Sequence, residues 1–342
     1  RLMEDWMISN LVTVGLLAAM VGCVFLIRRS RLWSEAAVEL WKRRPIAILC
    51  VSLYLAVAIL DSIFWVGGVD TGEDVVSAHE AKSVIDRLFA DARERSYSSP
   101  FADVEFYGGK ALAHPGSHPL GTDIIGRDVV YLALKGVRVA ILIGGLTSLI
   151  AIPLSLLFGI SAGYFGGRVD DFVFFVMSTL ASMPGLLLLI ALIMAMGRST
   201  LSICIALAVT SWVGFCRIVR GETLKLREQD YVQAARVLGV SEVQIVLRHI
   251  LPNLAHLVII TFVLTFSGLV LSEAVLAWLG VGVDGSWGQM IDQARSELSR
   301  DPVVWWNITA AGSALFVLIL AVNMVGDAVR DVLDPRTLRE RS

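Results

Sequence analysis

The chain has 342 residues, of which 56% are hydrophobic and only 18% charged, and its mean hydropathy is +0.71. Soluble domains use roughly 45–50% apolar residues, and several apolar runs here approach the roughly 20 residues that cross a bilayer, so the composition excludes a soluble globular protein and points to a polytopic membrane protein. The formal net charge of −2 carries little information, because orientation in a bilayer follows where Lys and Arg sit.

In chain order, the first apolar run covers about Met7 to Ile27. It is preceded by Glu4 and Asp5, not by the basic n-region of a secretory signal. Arg28, Arg29, Arg31, Lys42, Arg43 and Arg44 follow it and assign this connector to the cytoplasm. A basic amphipathic helix on the membrane surface explains residues 30–44 equally well. The second span is expected at about Ile46 to Val66. Residues 67–128 form the longest polar segment and are read as extracytoplasmic, with helical patterning from Val75 to Arg95 and loops at 97–100 and 114–119. His114 and His118 stand in a Pro/Gly loop without the further ligands that a zinc site requires, so they read as loop histidines.

The run GTDIIGRD at 121–128 precedes an amphipathic stretch with Lys135 and Arg138, expected as an interfacial elbow before a third span at about Val139 to Ala162. Gly159 and Gly163 permit close helix packing in that span, and Pro153 predicts a kink. A fourth span, about Phe172 to Met196, is interrupted by Met183-Pro184-Gly185, which marks either a substrate path or a packing kink. The fifth span ends near Val219, the sixth runs from about Leu254 to Leu279 into a Gly-rich aromatic end, and the seventh covers about Val303 to Val325. Asp61 and Glu273 are ionisable groups inside spans, candidates for function or for helix contacts. Cys23, Cys50, Cys204 and Cys216 all lie in or beside spans and read as small buried hydrophobes rather than disulfides.

Between the fifth and sixth spans stands a polar island, Arg217 to Asn253. Asp230 with Gln233, and Ser241 with Gln244, have capping-box spacing and predict two short helices. Gly239 predicts the turn between them, because glycine takes the left-handed conformation without steric cost. Tyr231, Ala234, Ala235 and Leu238 fall on one face of the first helix, and Pro252 closes the second helix or opens the next. Span parity and the positive charge of Arg217, Arg220, Lys225, Arg227, Arg236 and Arg248 both place the island in the cytoplasm. Arg220, Arg227 and Arg236 are candidates to pair with acidic groups of a partner. No stretch matches GxxxxGK[ST] or HExxH, and no paired-cysteine metal motif or nucleic-acid motif is found. A pore or carrier with an elaborate docking element is what the residues support.

Gln233-Ala234-Ala235, Gly239 and Leu251-Pro252 resemble the EAA loop of ABC-importer permeases, and the fuller run YVQAARVLGV…RHILPN resembles the oligopeptide/dipeptide (and nickel) branch. HPLGTDIIGRD at 118–128 carries the same resemblance through Gly121, Thr122, Asp123, Gly126, Arg127 and Asp128. AGYFGGRVDD at 162–171, SGLVLSEAVLAWLGVG at 267–282 and GDAVRDVLDP at 326–335 extend it to residues 45–338. Gln233 stands where the family usually has Glu, which removes a charge and keeps a hydrogen-bonding side chain. Residues 1–44 lie outside the resemblance.

The resemblance implies an all-α polytopic membrane protein of about seven transmembrane helices, a six-helix importer permease core plus one extra N-terminal span. The implied layout is an extra span and basic connector at 1–44, a first core span at 45–66, an extracytoplasmic loop at 67–128, and a permease core at 129–342. Coupling helices at 228–252 would contact the ATPases through Tyr231, Gln233, Ala234, Ala235, Leu238, Gly239, Ser241 and Pro252. Implied partners are a second homologous permease, two cytoplasmic ABC ATPases, an extracytoplasmic substrate-binding protein seated on 67–128 beside 280–302, and membrane lipid. Nucleic acid is not among them. No cofactor is expected in this chain, since the partner ATPases would bind ATP and Mg, and the expected location is the bacterial inner membrane. Peptides lead as cargo, followed by nickel or another small solute. A self-contained secondary transporter or channel is the alternative of a different class.

Overall fold

The computed structural model describes residues 40–65, 82–90 and 93–333. The span expected at 7–27 and the tail from 334 lie outside these residues. Helix α1, Pro45–Ser62, starts on a proline whose missing N–H and preset φ suit the first helical turn. It ends at Ile63 in extended conformation, and β1 (Phe64–Trp65) pairs antiparallel with β2 (Lys82–Ser83). The helical pattern expected over 75–95 narrows, within the described residues, to α2, Val84–Leu88. There a complete capping box joins Ser83 and Asp86.

Helix α3, Val129–Phe165, is 37 residues long, roughly 55 Å at about 1.5 Å per residue, against an apolar layer of about 30 Å. Asp128 caps it, its Oδ1 accepting the Val130 N–H at 2.6 Å. The expected elbow is the first turns of this same helix. Lys135 looked interfacial, but its Nζ lies 2.7 Å from Asp61 Oδ1 and 2.7 Å from Asp86 Oδ1, so protein carboxylates satisfy the charge. Asp61 thus has a structural partner within the chain.

Helices α4 (Gly167–Ser182) and α5 (Gly185–Met196) are bent by 94° at the Met183-Pro184 break. Helix α6, Thr200–Arg227, carries the polar residues from Arg220 to Arg227 in its last turns, beyond the expected end of the fifth span. Two short helices follow, α7 (Asp230–Val237) and α8 (Glu242–Ile245), then a π turn (Val246–Ile250), a 3-10 turn (Leu251–Leu254) and α9 (Ala255–Trp278). The Gly-rich end of the sixth span contains a helix that the sequence reading missed, α10 (Trp287–Glu297). Its signal was Ser286 three residues before Gln289, and Ser286 Oγ accepts the Gln289 N–H at 3.1 Å. Helix α11 covers Trp306–Leu333. Among the described residues, five helices are long and apolar enough to cross a membrane, or six if the bent α4–α5 pair is one span.

The chain divides into two compact units, one holding residues up to Ile141 with Glu273–Val325, the other Leu142–Ser272 with residues from Gly326. In the first unit Trp287 is fully enclosed: its Nε1 donates to Ala133 O at 2.8 Å, and a Cβ added at Gly136 would stand 2.3 Å from its ring. In the second unit α3 and α6 cross closely. A Cβ at Gly159 would meet Val219 Cγ1 at 2.7 Å, and one at Gly163 would meet Arg220 O at 2.7 Å, so the close packing expected of these glycines is realised against α6. Ser155 Oγ bridges the same pair by donating to Trp212 O at 2.8 Å. Large apolar side chains such as Phe172, Phe174 and Phe175 on α4 stay exposed, as helices facing lipid require.

Candidate functional site

The polar island builds its turn from backbone geometry. Gly239 has φ +77°, the left-handed region. Val240 N–H bonds to Ala235 O at 3.1 Å and Gly239 N–H to Arg236 O at 3.0 Å, which is the Schellman pattern that closes α7. Neither predicted capping box forms. Gln229 takes the N-cap of α7, so Asp230 falls in the first turn, where its charge still favours the positive helix end. Gln233, freed from capping, folds back and its Nε2 donates to Arg227 O at 3.0 Å, tying α7 to the last carbonyls of α6. Ser241 does occupy the N-cap of α8, without a side-chain bond. Pro252 opens the next segment at the second position of the 3-10 turn. A proline ring cannot accommodate the carbonyl four residues back, and the chain widens into the π turn just before it, with Leu251 N–H bonding Val246 O.

The face predicted for α7 divides in two. Ala235 joins Val232 on the inner side, packed in one apolar cluster with Ile160 and Tyr164 of α3, Phe215 and Val219 of α6, and Ile245 of α8. Tyr231, Ala234 and Leu238 point outward, with Leu238 82% and Val237 87% exposed. This leaves an apolar strip on a helix whose other side is firmly seated.

Three arginines expected to reach a partner are engaged within the chain. Arg220 forks onto Asp170, Nε to Oδ1 at 2.5 Å and Nη2 to Oδ2 at 2.6 Å. Arg227 lies 3.0 Å from Glu228 and 3.4 Å from the carbonyls of Gly163 and Tyr164 at the end of α3. Arg236 lays its guanidinium over the Tyr164 ring at 5.4 Å, with Nε 3.7 Å from Glu242 Oε1, while the Tyr164 hydroxyl donates to Glu242 Oε2. Tyr164 and Asp170 belong to AGYFGGRVDD, in which Gly163 was legible as a packing residue but the side-chain partners were not. An open hollow lies alongside, bordered by Phe165, Arg227, Gln233 and Glu242.

The run GTDIIGRD belongs to the first unit and forms a tight knot. Asp123 Oδ1 accepts the N–H groups of Ile125 at 3.0 Å and Arg127 at 2.8 Å, and Arg127 Nε returns to Asp123 Oδ2 at 2.9 Å. Thr122 Oγ1 accepts the Ser98 N–H at 2.7 Å, and its carbonyl accepts Trp306 Nε1 at 2.9 Å. Gly121 and Gly126 turn at φ +72° and +73°, and a Cβ on Gly126 would lie 1.9 Å from Glu94 O. His118 Nδ1 lies 2.8 Å from Asp128 Oδ2, and its Nε2 is 3.5 Å from Glu94 Oε1. Burial alone would raise Glu94, but N–H groups donated by Ala113 at 3.0 Å and His114 at 2.8 Å, with His118, hold it below its ordinary range. Among the described residues no group of three or more His, Cys, Asp or Glu is placed to hold a metal ion.

Residues 155–339 match the family described as "Binding-protein-dependent transport system inner membrane component". A Brucella abortus protein provisionally named as a peptide transport system permease is 39% identical over 227 residues, 65% of this chain and 75% of that one. The oligopeptide transport system permease protein OppC of Haemophilus influenzae is 34% identical over 65% of this chain and 71% of its own length. The glutathione transport system permease protein GsiD of Pectobacterium atrosepticum is 33% identical over 73% of this chain and 83% of its own. With a family match over more than half its length and helices built to cross a bilayer, the chain belongs to the binding-protein-dependent transport system inner membrane components, as a multi-pass ABC-importer permease of the inner membrane.

Proposed function

We propose that this permease forms the translocation path for di- or oligopeptides together with a second, similar permease, and that ATPase subunits grip it at 228–252. The observation that carries the reading is α7: one side is locked into the apolar cluster, and Tyr231, Ala234, Val237 and Leu238 are left on the outside. A short helix presenting an apolar strip is a recognised way to fill a groove on a partner. ATP and Mg belong in the partner subunits, and an extracytoplasmic binding protein delivers cargo to the region of 67–128 and 280–302. Peptide cargo is supported by the names of two of the relatives, and by GsiD, whose substrate is itself a tripeptide.

The test is site-directed cross-linking in inner-membrane vesicles that hold the co-expressed transporter subunits. A photo-reactive residue at Leu238 should capture an ATPase subunit, while one at the enclosed Val232 should not. Equal capture at both positions, or none at Leu238, would refute the docking assignment. For cargo, unlabelled tripeptides should compete with labelled peptide uptake and nickel ions should not. Competition by nickel alone would replace the peptide reading.

A further inference from the structure

We propose that Tyr164 is a positioning residue for transport: its hydroxyl, closed on Glu242 and backed by Arg236, is the joint through which α7 and α8 move α3. The proposal rests on the reading of α7–α8 as the ATPase-docking element. Tyr164 is the penultimate residue of α3 and is 3% exposed. Its ring sits in the cluster with Val232 and Ala235 of α7 and Ile245 of α8. Its hydroxyl donates to Glu242, the first residue of α8, and the guanidinium of Arg236, in the last turn of α7, covers its ring. One side chain of α3 therefore holds both short helices, on either side of the Gly239 turn.

The physical distinction lies between two kinds of contact. Apolar packing in the cluster is non-directional and tolerates sliding. The hydroxyl–carboxylate bond and the stacked guanidinium are directional and charge-assisted, so they fix an angle. A push on α7 that rotates α7 and α8 about Gly239 would pull on the end of α3 through this triangle. Its onward route is short. Gly163, one residue before Tyr164, lies against the backbone of Arg220 on α6, and Arg220 is forked onto Asp170 of α4.

The experiment uses the complete transporter, with both permeases, its ATPases and binding protein, reconstituted in vesicles. It records ATP hydrolysis and labelled-peptide uptake in the same preparation. Tyr164→Phe keeps the ring and its burial and removes only the hydroxyl, Glu242→Ala removes the acceptor, and Glu242→Gln keeps an acceptor. Tyr164→Phe and Glu242→Ala should retain ATP hydrolysis and lose peptide transported per ATP by about three- to tenfold, the size of one directional hydrogen bond. Glu242→Gln should restore most of that ratio, and the Tyr164→Phe/Glu242→Ala double variant should be no worse than either single one. An unchanged ratio in both single variants, or a proportional fall of hydrolysis and uptake together, would overturn the joint. Should Tyr164→Phe fail to assemble, Arg236→Lys, which keeps the charge and loses the stacked plane, must lower the ratio for the proposal to stand. Loss of ATPase cross-linking at Leu238 in the unaltered protein would instead remove the docking reading, and this proposal with it.

Discussion

At Gly239 the chain takes φ +77°, and no heavy atom lies within 4 Å of where a Cβ would be. The demand for glycine there is conformational, not one of space. A non-glycine residue in the left-handed region costs about 1–2 kcal/mol, least for Asn. Gly239→Asn should therefore keep most ATP-driven uptake. Gly239→Val should keep assembly and lose uptake relative to hydrolysis, because a shifted turn changes the angle between α7 and α8. Equal uptake by both variants would contradict this. Gly239 was legible in the sequence because one residue type answers one backbone requirement. Gln233 was less legible. It donates to a carbonyl, Arg227 O, and an ionised glutamate has no proton to donate, so the amide at this position has a bond of its own to make.

Glu297 makes a second residue-scale test. It is buried at the end of α10, accepting from Tyr97 Oη at 3.1 Å and Asn307 Nδ2 at 3.3 Å. Burial raises its carboxyl above the ordinary 4.5, an effect that the bond from Asn307 only partly offsets. Since the folded-state value is the higher one, the stabilisation is fully present below the unfolded value. It is lost as pH rises through the folded value. Thermal unfolding of the solubilised protein should show the wild type losing stability as pH rises above 4.5. Glu297→Gln, which keeps the acceptor and cannot ionise, should be less sensitive over that window. An identical pH profile for the two would rule this out.

At the scale of elements, the α3–α6 crossing sets how force would leave the proposed docking helices. Gly163→Val would place a Cβ 2.7 Å from Arg220 O, a backbone atom that cannot rotate away. Overpacking of this kind typically costs about 1–3 kcal/mol. The variant should show a lower thermal midpoint in detergent, whereas Gly221→Val, with nothing within 4 Å of its added Cβ, should be nearly neutral. Similar midpoints for both would mean that the crossing is not close in the native membrane. The elements themselves were largely legible, because long apolar runs and the Pro184 break are local signals. What was not legible depended on distant partners. Lys135 looked like an interfacial charge until Asp61, 74 residues away, appeared beside it. The two capping boxes had the right spacing, but Gln229 took the first cap, and spacing alone does not say which residue turns the chain. Ala235 was assigned to the outer face because a helical wheel does not show where the cluster formed by α3, α6 and α8 lies. Tyr164 was invisible for the same reason: its partners, Arg236 and Glu242, lie beyond the fourth and fifth spans in the chain.

For the whole molecule, membership of the importer family and the exposed strip on α7 support the proposal that the chain moves solute only when a separate motor holds it. The ends of α3 and α4 are both fastened to α6, α3 by close glycine contacts and α4 by the Arg220–Asp170 ion pair. The direct measurement is peptide accumulation by sealed vesicles, with the permease pair reconstituted with and without its ATPase subunits. Accumulation is expected only when ATPase subunits, ATP and Mg are all present, and none when Leu238 and Val237 are both replaced by Glu. Accumulation by the permeases alone, driven by an ion gradient and indifferent to ATP, would contradict it.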